Sequence, residues 1–246
     1  MGLVLILALD TSSPCGSLAV FRDESVIGSV STWTEEAYSS RMFRHLEFLL
    51  RELSLGLDAF DLFAVAAGPG SFTGLRVGLA AVKGWAEVYG KPIAAISALE
   101  AVAAQAPSSA KAVIPVVDAR RGQVYFGVYR RAGAPEQKRL TLEGDEGVAT
   151  PEEFVHELRT RQLNSELLIV TPAPELVSRA VAGAEGIGGP APAISVGRVS
   201  SILAPCVGQL GYIRAQRGEL ADSLTLDANY IRRSDAELHW KGPRGS

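Results

Sequence analysis

Apolar residues along the chain follow two periods, and the switches between them mark out its elements. Leu3 to Leu9 is an unbroken apolar run ended by Asp10, Ser17 to Arg22 alternates, and Val26 to Thr32 follows the Arg22-Asp23-Glu24 turn. These predict three strands in an antiparallel meander. From Tyr38 to Leu53 the period becomes helical, with Met42, Leu46, Leu49, Leu50 and Leu53 on one face. Leu62 to Ala67 then reads as a buried strand, Gly68 to Arg76 as a glycine-rich turn, and the next stretch as a helix to about Tyr89. A short strand, Pro92 to Ile96, and a helix from Ser97 or Ala98 to about Gln105 complete a β-β-β-α-β-α-β-α unit.

The helix after the glycine turn reads as apolar round most of its axis. Leu75, Val77, Leu79, Val82, Trp85 and Val88 run round its axis, and small residues fill much of the rest. A helix apolar all round is buried on most sides, and small residues admit a close neighbour. One domain core covers one face, so a second chain is expected on the other. Leu75, Leu79 and Val82 are the expected anchors, with Met42, Leu46, Leu49 and Leu53 as a second stripe on the preceding helix. In the turn, Gly68, Gly70 and Gly74 are structural, Pro69 stiffens the backbone, and Ser71 or Thr73 is the expected cap.

Beyond the linker-like Ala106 to Ala110, the opening grammar returns. Ala112 to Val117 is an apolar strand ended by Asp118, a polar turn closes at Gly122, and Gln123 to Arg130 alternates. This predicts a duplicated, two-lobed α/β fold with lobes at about 1–106 and 107–200. A C-terminal helix and tail (201–233) return to the first lobe, and 234–246 form a disordered tail. A helix near Pro151 to Thr160, a strand Leu167 to Val170, a helix after Pro174 and a Gly/Pro-rich run from Gly183 to Pro192 fill the second lobe. The helix from about Val199 to Arg217 carries Pro205, which is expected to kink or split it.

A net charge of -3 gives no global support for nucleic-acid binding, and two cysteines, Cys15 and Cys206, make neither a disulfide framework nor a metal knuckle. A reducing, cytoplasmic setting is expected. The apolar start is too short for a membrane span. Asp10-Thr11-Ser12 sits where a strand delivers its end to a turn that can hold a phosphate or simply close a hairpin. Asp118 holds the matching place, so two carboxylates facing a cleft would suit magnesium and nucleotide. The glycine turn lacks the Gly-Lys-Ser/Thr ending of a P-loop, and Thr73 stands where a dinucleotide fingerprint needs its third glycine. His45 has Arg41 one turn before it, and arginine is no metal ligand, so no metal site is expected.

Three segments together resemble the TsaB family, also called YeaZ: Leu7 to Ser12, Ala67 to Gly78, and Pro115 to Tyr125, with Tyr230-Ile231-Arg232 closing the pattern. The resemblance runs from Ile6 to about Arg233. It implies a degenerate member of the actin/Hsp70/sugar-kinase-like ATPase fold, in which Asp10, Thr11, Ser12 and Asp118 are vestiges of a nucleotide site and ATP or ADP binds weakly if at all. It further implies a non-catalytic subunit for N6-threonylcarbamoyladenosine synthesis at adenosine 37 of tRNA. The implied partners are a catalytic relative, TsaD, and an ATPase, TsaE, with tRNA met through the complex and self-pairing when alone. The catalytic relative's metal motif His-x-x-x-His has Arg41 in its first place here. Its adenine-gripping Gly-Gly turn is replaced by Thr171-Pro172-Ala173-Pro174, and Gly188-Gly189 lack a strand directly before them. An active ATP-dependent kinase or acyltransferase of the same fold is the alternative.

Overall fold

A computed structural model describes residues 4–34, 38–132, 139–160, 166–183, 193–229 and 231. The first lobe contains β1 (Leu5–Asp10), β2 (Cys15–Arg22), β3 (Ser25–Trp33), α1 (Tyr38–Leu53), β4 (Leu62–Gly68), α2 (Phe72–Tyr89), β5 (Ile93–Ser97) and α3 (Ala98–Ala103). Its sheet runs β3-β2-β1-β4-β5, antiparallel through the meander and parallel from β1 onward. The element order is the one that the apolar pattern predicts.

The second lobe contains β6 (Ala112–Arg120), β7 (Gln123–Phe126), β8 (Tyr129–Ala132), β9 (Arg139–Leu142), β10 (Gly147–Ala149), α4 (Pro151–Thr160), β11 (Leu167–Thr171), α5 (Glu175–Gly183) and β12 (Ile194–Arg198). Its main sheet runs β10-β7-β6-β11-β12, with β8 pairing both β6 and β9. Strand for strand, this repeats the first sheet: an antiparallel hairpin, a third strand on its outer side, then two parallel crossovers. The two halves make the duplicated α/β architecture of the actin, Hsp70 and sugar-kinase type. Two local readings change. Residues 131–147, read as a polar connection, supply β9 and part of β8, and β12 lies where no strand is expected because it follows directly on the Gly/Pro-rich run. The Gly188-Gly189 pair and the tail 234–246 lie outside the described residues.

The unbroken apolar runs of β1 and β4 are explained by cover on both faces. Leu7, Leu9, Phe63 and Val65 point into a core under α1 and α2, while Ile6, Ala8, Leu62 and Ala64 point into a second core on the opposite face. That second core continues across the lobe junction, joining Val113, Tyr125 and Val170 to α3 and to α6 (Ala204–Arg217). Pro205 does not kink α6. It sits in the first turn, where no intrahelical N–H bond is lost. The Ala204 amide ahead of it donates to Ser17 Oγ at 3.0 Å.

Gly208 and Gly211 set how closely α6 lies on the first sheet. A Cβ at Gly208 would overlap the Phe21 ring, and one at Gly211 would lie 2.8 Å from the Ala64 methyl. Overpacking of this kind costs about 1–3 kcal/mol. Gly208→Val is therefore expected to lower the free energy of unfolding by that much, measured by urea unfolding. Gly84→Ala, in α2 with nothing within 4 Å of the new methyl, is expected to raise stability by roughly 0.5–1 kcal/mol. Equal effects at the two positions would show that α6 does not pack as described.

Candidate functional site

Asp10 ends β1 with its side chain turned into the protein. Its Oδ1 accepts from Ser12 N at 2.9 Å and from Ser12 Oγ at 2.6 Å, closing an Asx turn. Asp10, Thr11 and Ser12 are all buried, and Asp10 is 0% exposed. Asp10 Oδ2 and Thr11 Oγ1 have no hydrogen-bond partner. Burial pushes the Asp10 carboxyl up to about 6, against the lowering effect of the two Ser12 bonds.

The glycine turn and α2 seal this turn from outside. Ser71 N donates to Ser12 O at 2.7 Å, and Ser71 Oγ caps α2 by accepting from Gly74 N at 3.3 Å. A Cβ at Gly70 would overlap Ser12, one at Gly74 the Thr11 carbonyl, and one at Gly78 the Thr11 hydroxyl. Gly68 has φ 114, a conformation that side chains rarely adopt. Gly68, Gly70 and Gly74 thus form the structural turn, and Gly78, one turn further along α2, completes it.

Asp118 occupies the equivalent place at the end of β6 in a different environment. It is exposed, its Oδ1 accepts from Arg120 N at 2.7 Å, and its Oδ2 pairs with Arg120 Nη1 at 3.4 Å. The hairpin tip holds Arg120, Arg121 and Gly122 at φ 62, 56 and 70. The expected pair of carboxylates at one cleft therefore resolves into a sealed Asp10 and an open, arginine-paired Asp118. After β11, Thr171 Oγ1 accepts from Ala173 N at 3.2 Å, and Arg198 Nη1 donates to Pro172 O at 2.9 Å.

Arg41 has a structural part that its sequence position did not reveal. It is 3% exposed and donates to Thr32 O, Thr32 Oγ1 and Pro14 O, bracketing α1 against β3 and the β1–β2 turn. His45 Nε2 lies 3.4 Å from the same Thr32 hydroxyl. Its pKa is lowered by burial first, then by the charges of Arg41 and Arg44. Among the described residues no group of three or more metal-ligating side chains forms, and no helix is long and apolar enough to cross a membrane.

The expected anchors for a second chain are corrected by the core. Met42, Leu46, Leu49, Leu75, Leu79 and Val82 are all buried in the first lobe itself, and Leu53 packs against the same cluster. The sheet covers them. The outer side of α2 carries exposed Arg76, Ala80, Gly84 and Glu87, and towards its end Val88 is 75% exposed. Exposed large apolar groups outside α2 include Phe43 and Phe48 of α1 and Trp33 of β3, at 52%, 47% and 70% exposure. Phenylalanines lying off the leucine stripe were the sequence signal for them.

A family profile described as TsaD: tRNA N6-adenosine threonylcarbamoyltransferase matches residues 24–181. A curated Escherichia coli (strain K12) protein, tRNA threonylcarbamoyladenosine biosynthesis protein TsaB, is 32% identical over 167 residues, covering 67% of this chain and 70% of its own length. The chain belongs to the TsaB family. The Bacillus subtilis (strain 168) TsaB is 37% identical over 125 residues, which span 51% of this chain and 55%, little over half, of that protein. A crystal structure titled as an uncharacterized protein with similarity to peptidase YEAZ from Pseudomonas aeruginosa superposes with TM-score 0.73 at 25% identity, covering 93% of this chain and 100% of that one. The structure of YeaZ from Pseudomonas aeruginosa gives TM-score 0.70 at 24% identity over 92% of this chain. In this chain the glycine turn closes over Asp10.

Burial of Asp10 makes a signed prediction. Its native pKa of about 6 lies above the 3.8 of an ordinary aspartate, so the native state binds the proton more tightly. The penalty is absent below about pH 4, grows as pH rises to about 6 and is full above it, on the order of 1–3 kcal/mol. Asp10→Asn keeps an oxygen for both Ser12 bonds. Its stability relative to wild type is expected to improve by that amount between pH 4 and pH 8, read from urea midpoints. A pH-independent difference would show that Asp10 is not sealed.

Proposed function

We propose that this chain is a non-catalytic scaffold subunit for N6-threonylcarbamoyladenosine synthesis on tRNA, acting through a TsaD-like catalytic subunit. The observation that carries this reading is the closure of α2 over Asp10–Ser12, which leaves a magnesium–nucleotide pair no access to Asp10. Replacement of the adenine-gripping turn by Thr171 to Pro174 and the use of Arg41 as a structural bracket support it. A TsaE-like ATPase would complete the assembly, tRNA would be met through the complex, and the setting would be cytoplasmic.

The docking face in this reading is the outer side of α1 and α2, with Phe43 and Phe48 as anchors and Ala80 and Gly84 allowing close approach of a helix. The same face would pair two copies when the protein is alone. A second reading, an ATP-dependent kinase or acyltransferase, is favoured by one observation: Asp10 Oδ2 and Thr11 Oγ1 are both without partners. Calorimetry with ATP and magnesium separates the two, since heat of binding at micromolar nucleotide supports the enzyme and its absence supports the scaffold.

Phe43→Ala is expected to leave the fold intact and to weaken binding to a TsaD-like subunit by at least about 1 kcal/mol, roughly fivefold. Leu79→Ala is expected instead to cost about 2–5 kcal/mol of folding stability, as for other buried leucines. Titration calorimetry for the first and urea unfolding for the second check both. Undiminished binding by both Phe43→Ala and Phe48→Ala would move the interface elsewhere.

A further inference from the structure

Glu146, in the connection between β9 and β10, receives three segments of the chain on one carboxylate. Tyr129 donates its hydroxyl to Oε1 at 2.6 Å, Ser97 donates to the same oxygen, and Asn229 Nδ2 donates to Oε2 at 2.6 Å. Ser97 must donate here, because its oxygen already accepts the Leu99 and Glu100 amides that start α3. Burial, with Glu146 alongside, pushes the Tyr129 hydroxyl far up, so it too is a donor. Two of the three donors come from outside the second lobe: Ser97 from the end of β5 and Asn229 from the segment after α6.

That segment crosses the first lobe with Leu226 as its one buried residue, Leu220 and Ala228 resting on the cores, and the Ser223 hydroxyl donating to Glu87 of α2. Ala221 and Ile93 exchange two backbone bonds, each at 2.8 Å. The Asp222 carboxylate closes a turn on the Leu224 and Thr225 amides. Leu226 is buried at 2% exposure, while Leu224 beside it is 88% exposed. Asn229 N donates to Ala67 O at 2.7 Å, at the register shift between Ala66 and Gly68, and the Asn229 carbonyl lies 2.7 Å from where a Cβ on Gly68 would stand. No hydrogen bond inside either sheet's ladders need break for residues 219–229 to lift away.

We propose that residues 219–229 are a strap that opens and closes as a unit over the C-terminal end of β4, latched across the lobe junction by Asn229 on Glu146. The strap makes two hydrogen bonds to carboxylates far away in sequence, Ser223 to Glu87 of α2 and Asn229 to Glu146, and only the second reaches the other lobe. Local opening with few buried apolar contacts lies well below the free energy of global unfolding. The β9–β10 connection of the second lobe thereby sets how firmly a segment of the first lobe is held down.

Hydrogen exchange on the full chain tests this, comparing wild type with Asn229→Ala and Glu146→Gln. The Ala221, Leu226 and Asn229 amides are expected to exchange together, faster than the amides of β1 and β4. Each variant is expected to raise their rates about tenfold or more, the loss of one hydrogen bond to a charged group. Glu146→Gln touches none of those amides, so its effect reports the latch. Strap amides exchanging only as slowly as those of β4 in wild type overturn the proposal, as do unchanged strap rates in the variants. If Glu146→Gln does not fold, the exposed Asn229→Ala decides alone, unchanged rates overturning the latch.

Discussion

The backbone of α2 approaches the Asp10–Ser12 turn more closely than any side chain would allow. Gly70, Gly74 and Gly78 are the positions of contact, and each would drive a Cβ into Thr11 or Ser12. This approach keeps Asp10 dry, because the helix occupies the side from which water or an anion would reach it. It also fixes which side of α2 faces the sheet. Once Gly74 and Gly78 lie on the turn, Leu75, Leu79 and Val82 fall into the core, and Ala80 and Gly84 fall outside. The nucleotide side and the partner side of the first lobe are thus set by one contact.

The duplication produced two sheets of the same order with unequal surroundings. In the first lobe α2 closes on the hairpin turn, whereas in the second the matching hairpin projects Asp118, Arg120 and Arg121 into solvent. Between the lobes, an apolar core runs from β1 and β4 through α3 and α6 to β6 and β11. Polar groups at this junction are paired: Arg214 Nη2 meets Glu100 Oε2 at 2.5 Å, and Arg214 also donates to Ala95 O. Glu146 takes Tyr129, Ser97 and Asn229. Such pairing is required where charge leaves water, and it fixes the relation of the lobes more sharply than apolar contact does.

Much was legible along the chain because it is local. Strand and helix periods, the Asp at the end of each first strand, the Ser71 cap and the repeat of hairpin grammar depend on neighbours within a few residues. So did the family resemblance, whose glycine-turn segment is a contiguous string. Errors arose where a residue's meaning depends on what lies opposite. Pro205 reads as a helix breaker inside an expected helix from Val199, yet α6 starts only at Ala204 and holds Pro205 in its first turn.

The sequence alone determined the α/β alternation, the repeat of the opening hairpin and the family, because period, turn chemistry and a specific glycine string survive without coordinates. Only the tertiary structure decided which apolar residues are spent on the protein's own core. Helical periodicity reports that a face is apolar and not what covers it, so Leu79 and Phe43 look equally available until the sheet is seen to bury the first and leave the second at 52% exposure. The same holds for Asp10 and Asp118. Both end an apolar strand, but desolvation depends on the helix packed above, and α2 covers Asp10 alone.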